Sequence, residues 1–151
     1  MNEGLHAFAV EVCNGDKSAE EFVDLWYRYC HAIDDIVDTM EDGRPTATPQ
    51  FIVGTFIVAA ALYNCAFYRK HADVLYGCVL VVTNMYMDSV EWERSPKAHR
   101  RNIANVLRCC GDEMFFLVAM IVGGWAHARS VSLRIREKDF LLQQTGVDDL
   151  K

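Results

Sequence analysis

The chain has 151 residues, of which 52% are hydrophobic and 24% are charged, with only three prolines. This composition is typical of one folded domain over residues 1–151 and excludes a disordered tail or linker protein. The net charge of −6 argues against general nucleic-acid binding, because the neutralisation of phosphates requires clustered lysine and arginine.

The first predicted elements are a short helix over 3–13 and a long helix that follows it. Ser18 and Glu21 have the spacing of a capping box, which predicts that the long helix begins at Ser18. Gly43 and then Pro45 are expected to end it, because glycine and proline are the usual residues just beyond a helix.

Two Ser/Thr-Pro pairs mark further helix starts. In Thr48-Pro49 and Ser95-Pro96, a capping side chain precedes a proline that fits the first helical position. The first pair predicts a helix to about residue 70. The second predicts a long helix to about residue 129, weakened at Gly111 and at Gly123-Gly124.

A helix between these two is expected to restart at Asp73 and to run to Arg94. From Val74 to Met87 it is apolar nearly all round, which is typical of a central, buried helix. So apolar a helix in so short a chain also suggests a homo-oligomer. A last amphipathic segment is predicted over 131–144.

No period-two alternation, internal repeat or low-complexity tract interrupts this pattern. The predicted fold class is therefore all-α, a compact bundle of four main helices plus shorter terminal helices. The apolar run over 51–67 is shorter than the roughly 20 residues that a membrane span requires, so no span is expected.

Six cysteines without a Cys-x-x-Cys pair are typical of core residues in a reducing compartment. No positively charged segment followed by an apolar one opens the chain, so secretion is not indicated. The predicted localisation is cytoplasmic.

The most informative feature is an acidic cluster near the C-terminus of the first long helix. Asp34, Asp35 and Asp38 lie where the helix dipole disfavours negative charge. Their spacing places the first and last carboxylates one turn apart, so that both can contact one cation.

A second polar row runs along the helix over 73–94. Asn84, Asp88 and Glu91 are spaced i, i+4 and i+7, which places them on one face. Carboxylates on two facing helices can hold a hard divalent cation, so Asp34, Asp35, Asp38, Asp88 and Glu91 are candidate ligands of Mg²⁺ or Mn²⁺. Asn84 would bind the cation as a neutral ligand or would contact one of the residues that bind it. The alternative is an acidic face that is only solvated.

Basic residues supply candidate phosphate contacts. These are Arg44, Lys97, Arg100, Arg101 and Arg108. Arg108 alternatively pairs with Asp112 at i+4. His31, one turn before the acidic cluster, is a weak catalytic candidate that would orient a carboxylate or act as a general base, unless it is structural.

The segment from Asp34 to Thr46 resembles the first aspartate-rich motif of class I trans-isoprenyl diphosphate synthases. Tyr29–Ala32 looks like the corresponding helix of squalene and phytoene synthases, and Asn84–Glu91 loosely resembles the second metal motif of class I terpene synthases. This resemblance implies that Asp34, Asp35 and Asp38 bind Mg²⁺ ions that draw off diphosphate.

A second resemblance is architectural. Small all-α nucleoside triphosphate pyrophosphohydrolases are oligomeric helical bundles with an acidic Glu-Glu-x-x-Glu motif, whose spacing Asp34-Asp35-x-x-Asp38 matches with aspartates. Both resemblances imply Mg²⁺-assisted chemistry at a diphosphate.

The expected function is therefore that of a metal-dependent enzyme acting on a small diphosphate-bearing molecule. A nucleotide-type substrate is the first expectation, with hydrolysis or displacement of its diphosphate. Isoprenoid diphosphate chemistry is an alternative, and a non-catalytic helical interaction protein with an acidic face is another.

Overall fold

The computed structural model describes residues 3–38, 40–41, 44–45 and 48–144, and side chains over 6–38 and 48–137. The described part is all-α apart from one pair of two-residue strands, which confirms the predicted fold class. In chain order the elements are α1 (Glu3–Val12), α2 (Lys17–Asp38), β1 (Met40–Glu41), β2 (Arg44–Pro45), α3 (Pro49–Asn64), α4 (Ala66–Glu93), α5 (Ala98–Arg108), a 3₁₀ turn (Cys109–Gly111) and α6 (Asp112–Gln144).

The core lies where α2 meets α1, α4 and α6. Trp26 and Phe22 of α2 are fully buried, and so is Phe115 of α6. Phe8 of α1 meets Phe115 edge to face, with ring centres 5.4 Å apart. Complete burial of one such side chain stabilises the fold by about 2–3 kcal/mol. Phe22 and Trp26 thus anchor the middle of α2 in the core, which positions the C-terminal half of the same helix.

The start of α2 differs from the predicted capping box. Asp16 is the cap: its Oδ1 accepts hydrogen bonds from the backbone N–H of Ser18 and of Ala19, at 2.9 and 3.1 Å. The Ser18 hydroxyl donates to the same oxygen at 2.7 Å. A carboxylate satisfies two free N–H groups and complements the helix dipole, so it takes this role from the neighbouring serine.

The end of α2 also comes earlier than predicted. The helix ends at Asp38, and Met40–Glu41 then pairs with Arg44–Pro45 in an antiparallel bridge. The predicted stop at Gly43 lies outside the described residues.

One of the two predicted Ser/Thr-Pro starts is confirmed. Thr48 caps α3, and its hydroxyl accepts from the N–H of Phe51 at 3.3 Å. The other is wrong, because α5 begins at Ala98 and Ser95 instead accepts from the N–H of Lys97 within the preceding turn.

The break between α3 and α4 lies at Cys65, where the two helices bend by 89°. The predicted restart at Asp73 is therefore wrong. The backbone does depart from helical values at His71, with φ −121° and ψ 22°, but α4 continues through it.

The predicted weak points at glycines are confirmed. The 3₁₀ turn that separates α5 from α6 ends at Gly111, and Gly124 within α6 has φ 71° and ψ −174°. These angles suit glycine, which lacks a Cβ. α6 then runs on to Gln144, so the predicted separation near residue 130 is wrong.

α4 is not buried all round, contrary to the prediction. Leu75, Val79 and Val82 pack into the core, whereas Leu80 and Val81 are more than half exposed. One side of this apolar helix therefore has no partner within the described residues.

Among the described residues, no single helix is both long and apolar enough to cross a membrane. The bent pair α3 and α4 passes the same test of length and composition when the two are taken together. Cys13, Cys65 and Cys110 are buried, as predicted for core residues, whereas Cys109 is exposed.

Candidate functional site

A cavity of about 490 Å³ lies between α2, α4, the 3₁₀ turn and the start of α6. This volume falls within the range of small-molecule sites. Its wall is formed by Trp26, Tyr27, Tyr29, Cys30, His31, Ile33, Asp34, Val37, Val82, Thr83, Tyr86, Met87, Arg108, Cys109, Cys110, Gly111, Asp112 and Phe115.

Most of the inner wall is apolar, although the buried acid Asp112 also lies on it. Trp26, Val82 and Phe115 are almost completely buried. The indole N–H of Trp26 donates to the carbonyl of Gly111 at 3.0 Å, which ties α2 to the turn before α6. This bond satisfies the only polar atom of the indole, so Trp26 presents a hydrophobic surface to the cavity.

The polar groups of the cavity gather around Asp34, Tyr86 and Arg108. The Tyr86 hydroxyl donates to Oδ1 of Asp34 at 2.7 Å. The guanidinium of Arg108 lies over the Tyr86 ring, 5.4 Å from its centre. Asp34 and Arg108 are about one-third exposed, so these groups form the mouth of the cavity.

Arg108 joins two helices that approach each other with like charge. Its guanidinium nitrogens lie 3.7 Å from Asp34, 3.6 Å from Asp38 and 3.1 Å from Glu93. One positive charge faces three carboxylates, so the mouth remains net negative. Within the described residues, Nη1 of Arg108 is buried and has no hydrogen-bond partner.

The electrostatics of the site keep its weak acids neutral. Burial, the hydrogen bond to Asp34 and the charge of that carboxylate all raise the pKa of Tyr86, so its phenol stays protonated and donates. Burial raises the pKa of the Cys110 thiol to about 11. Cys110 is therefore a thiol near neutral pH and not a thiolate nucleophile.

The structure brings together some of the predicted site residues. Asp34, Asp38 and Arg108 converge at the mouth. His31 lies on the cavity wall, and its ring meets the edge of Tyr27 with ring centres 4.2 Å apart. Asp35 is exposed and lies outside the cavity wall.

The second polar row does not face the acidic cluster within one copy of the chain. At about 100° per residue, Asn84, Asp88 and Glu91 lie about 140–160° around α4 from Tyr86. None of the three lines the cavity. Tyr86 of α4 bonds to Asp34 instead, and Glu93 of α4 shares the guanidinium of Arg108 with the α2 carboxylates.

The other predicted phosphate contacts lie apart from the cavity. Arg100 lies over the Trp92 ring, and Arg101 donates to the carbonyl of Ser95 at 2.7 Å. Lys97 is exposed just before α5. The side chain of Arg44 lies outside the part of the chain whose side chains are described.

Tyr86, Glu93 and Trp26 are the site residues that the sequence patterns missed. A signal for two of them exists: Val82, Tyr86, Ser89 and Glu93 recur at helical spacing, and Val82 and Ser89 are buried. The row of polar residues on the opposite side of α4 (Asn84, Asp88 and Glu91) masks this signal, because it has the same period.

No group of three or more His, Cys, Asp or Glu side chains is arranged to hold a metal ion among the described residues. Comparison of the chain with protein-family models, with curated proteins and with solved structures gives no match.

Proposed function

We propose that this chain binds a small molecule with an apolar body and a diphosphate end, and acts on it with the help of Mg²⁺ or Mn²⁺. The observation that carries the proposal is the cavity, whose wall is mostly apolar although it includes the buried acid Asp112, and which has Asp34 and Arg108 at its mouth. A prenyl diphosphate has this division between hydrocarbon and charge, and we therefore favour it over a nucleotide.

Asp34 and Asp38 are the residues that would hold the divalent cation. An oxygen of each lies within 4 Å of the Arg108 guanidinium, so a cation between them would take the place of this guanidinium as their counter-charge. Mg²⁺ usually takes one or two carboxylates and completes its shell with water and substrate phosphates, so two suffice here. The bound metal would neutralise the charge of the departing diphosphate.

The other residues of the mouth would position the charged groups. Tyr86 holds Asp34 in one orientation through its hydrogen bond. The guanidinium of Arg108, about one-third exposed at the mouth, would attract a phosphate oxygen. The apolar wall excludes water from the body of the ligand, which strengthens the electrostatic contacts at its end. His31, on the same wall, is a candidate to orient a carboxylate or accept a proton.

A nucleotide-type substrate is the second candidate. The rings of Tyr27 and Tyr29 line the cavity beside Trp26 and offer flat surfaces for stacking a base. The two candidates share the metal and the diphosphate and differ only in what fills the apolar part.

The test is calorimetric titration of the protein with geranyl diphosphate, with a nucleoside triphosphate and with inorganic diphosphate, each with Mg²⁺ and with a chelator. We expect Mg²⁺-dependent binding of geranyl diphosphate that is at least tenfold tighter than that of inorganic diphosphate, because the cavity buries the hydrocarbon. Release of diphosphate during incubation separates an enzyme from a binding protein.

Asp34→Asn and Asp38→Asn should each weaken Mg²⁺-dependent binding by about tenfold or more, since each removes a charged oxygen ligand. Asp24→Asn is the matched control, because Asp24 is a half-buried acid of the same helix that pairs with Arg28 instead. Absence of Mg²⁺-dependent binding for all three compounds would favour the non-catalytic interaction protein.

A further inference from the structure

α6 turns back on itself at Gly124 and forms a helical hairpin. In a continuous helix, Glu113 and Arg136 would lie about 35 Å apart, because each residue adds 1.5 Å along the axis. In the structure, Nη2 of Arg136 instead donates to Oε1 of Glu113 at 2.7 Å. The left-handed backbone at Gly124, with φ 71°, makes this sharp turn. α6 therefore has a first limb over 112–123 and a second limb over 125–144.

A second cavity, of about 300 Å³, lies between the two limbs. The second limb contributes its residues at helical spacing, i, i+4, i+7 and i+11, so that they share one face. These are Trp125, Arg129, Ser132 and Arg136, and they face Glu113 and Phe116 of the first limb. This cavity, the α6 groove, shares no lining residue with the larger cavity at Asp34 and Arg108.

The aromatic part of the α6 groove is an indole that is open to solvent yet held in place. Trp125 is 63% exposed, although so large an apolar ring is usually much more buried. Phe116 orients it through an edge-to-face contact, with ring centres 6.1 Å apart and planes at 84°. An exposed ring of fixed orientation offers a surface on which a second flat ring can stack.

The charged part of the groove is basic, on a chain whose net charge is −6. Its two arginines face one carboxylate, and Arg136 is the one that pairs with Glu113. Arg129 instead donates to the neutral hydroxyl of Ser132 at 2.8 Å, and it forms no salt bridge among the described residues. The Ser132 hydroxyl accepts this bond with its oxygen and still has its own O–H to donate. The groove thus has one uncompensated positive charge.

We propose that the α6 groove binds a small aromatic carboxylate, a flat ring that carries one negative charge. The ring stacks on Trp125, and the carboxylate accepts hydrogen bonds from Arg129 and Ser132, of which the first is charge-assisted. A single negative charge neutralises the groove, whereas a phosphate monoester with close to two charges would exceed it. The volume is at the lower end of small-molecule sites, which suits one or two fused rings and not a nucleotide.

The experiment is calorimetric titration of the full chain with naphthoate in the absence of divalent metal. We expect Arg129→Gln to weaken the binding of naphthoate at least fivefold, because it removes the charge that meets the carboxylate. Trp125→Ala should have an effect of similar size, and Trp125→Tyr a smaller one, because tyrosine keeps a flat ring. Naphthamide has the same shape without the charge and should bind the wild type at least fivefold more weakly. Circular dichroism and thermal melting establish that each variant is folded.

Arg134→Gln is the matched control, because it removes the same charge from the same limb. Arg134 pairs with Glu11 and lies outside the groove, so this variant should bind naphthoate as the wild type does. A wild type that does not bind naphthoate at millimolar concentration, or an Arg129→Gln variant that binds it equally well, would overturn the proposal. Binding that is lost in Arg108→Met and kept in Arg129→Gln would assign naphthoate to the larger cavity and contradict it too. Naphthyl phosphate bound tenfold more tightly than naphthoate would exclude a carboxylate as the natural ligand.

Discussion

At the mouth of the cavity, one guanidinium separates carboxylates that come from two different helices. Arg108 lies within 4 Å of Asp34, Asp38 and Glu93, and its guanidinium lies over the Tyr86 ring. Without this charge, α2 and α4 would approach each other with uncompensated like charges.

Arg108→Met should therefore lower the free energy of unfolding by about 1 kcal/mol, with the apolar stem retained and the charge removed. The group is about one-third exposed, so solvent screening keeps the loss modest. Because salt screens the remaining repulsion, the deficit should shrink when urea melts are repeated at high salt. Arg69→Met, a change at an exposed arginine of α4, is the control and should have little effect. An Arg108→Met variant as stable as the wild type at low salt would contradict this account.

Asp16→Ala should cost about 1 kcal/mol of stability near neutral pH, because it removes the cap of α2. Hydrogen bonds from the Ser18 hydroxyl and then from the backbone N–H groups of Ala19 and Ser18 lower the pKa of Asp16. A lowered pKa contributes stability that is fully present above the unfolded-state value and is lost as the pH falls through the folded-state value. Unfolding curves of variant and wild type should thus converge in strong acid.

Ser18→Ala distinguishes the observed cap from the predicted capping box. If Asp16 is the cap, Ser18→Ala costs less than Asp16→Ala, since it removes only one hydrogen bond to the carboxylate. If Ser18→Ala lost more stability than Asp16→Ala in urea melts, Ser18 and not Asp16 would be the cap of α2.

At the scale of elements, local sequence signals identify the breaks better than the exact helix starts. Thr48-Pro49 and the glycines determine the conformation of their own backbone. The predicted starts and breaks therefore lie at these residues themselves. Ser95-Pro96 has the same local signal, but the turn that follows α4 delays the helix by two residues. Tertiary packing decides such positions, and a single sequence does not reveal it.

Gly124→Ala should destabilise the protein by about 1–3 kcal/mol, because φ 71° with ψ −174° is a conformation that only glycine adopts readily. A Cβ at this position would meet no atom within 4 Å, so the cost arises from the backbone and not from a clash. The loss of stability is measured by thermal melting.

Gly54→Ala is the matched control, since Gly54 is helical and a Cβ there also meets open space. Alanine is the better helix former, so this variant should gain about 0.5–1 kcal/mol. If the two substitutions changed the stability of the protein equally, the backbone conformation at Gly124 would not require glycine.

At the scale of the whole molecule, periodicity was enough to predict the fold class, and spacing was enough to place Asp34 and Asp38 one turn apart. The sequence did not reveal which side of α4 meets α2. Both sides have helical period, and only the packing of Val82 and Ser89 into the core selects the side that carries Tyr86 and Glu93. The apolar wall was also hidden, because Trp26 and Phe115 are distant in the chain.

The hydrogen bond from Tyr86 to Asp34 links residues 52 positions apart, and that from Trp26 to Gly111 links residues 85 positions apart. The cavity therefore exists only after the chain has completed its long-range assembly, and partly folded forms lack it. Any compound that occupies the cavity binds the native state alone and shifts the folding equilibrium by mass action. A rise in melting temperature across a collection of unrelated compounds would thus find the natural ligand without an activity assay.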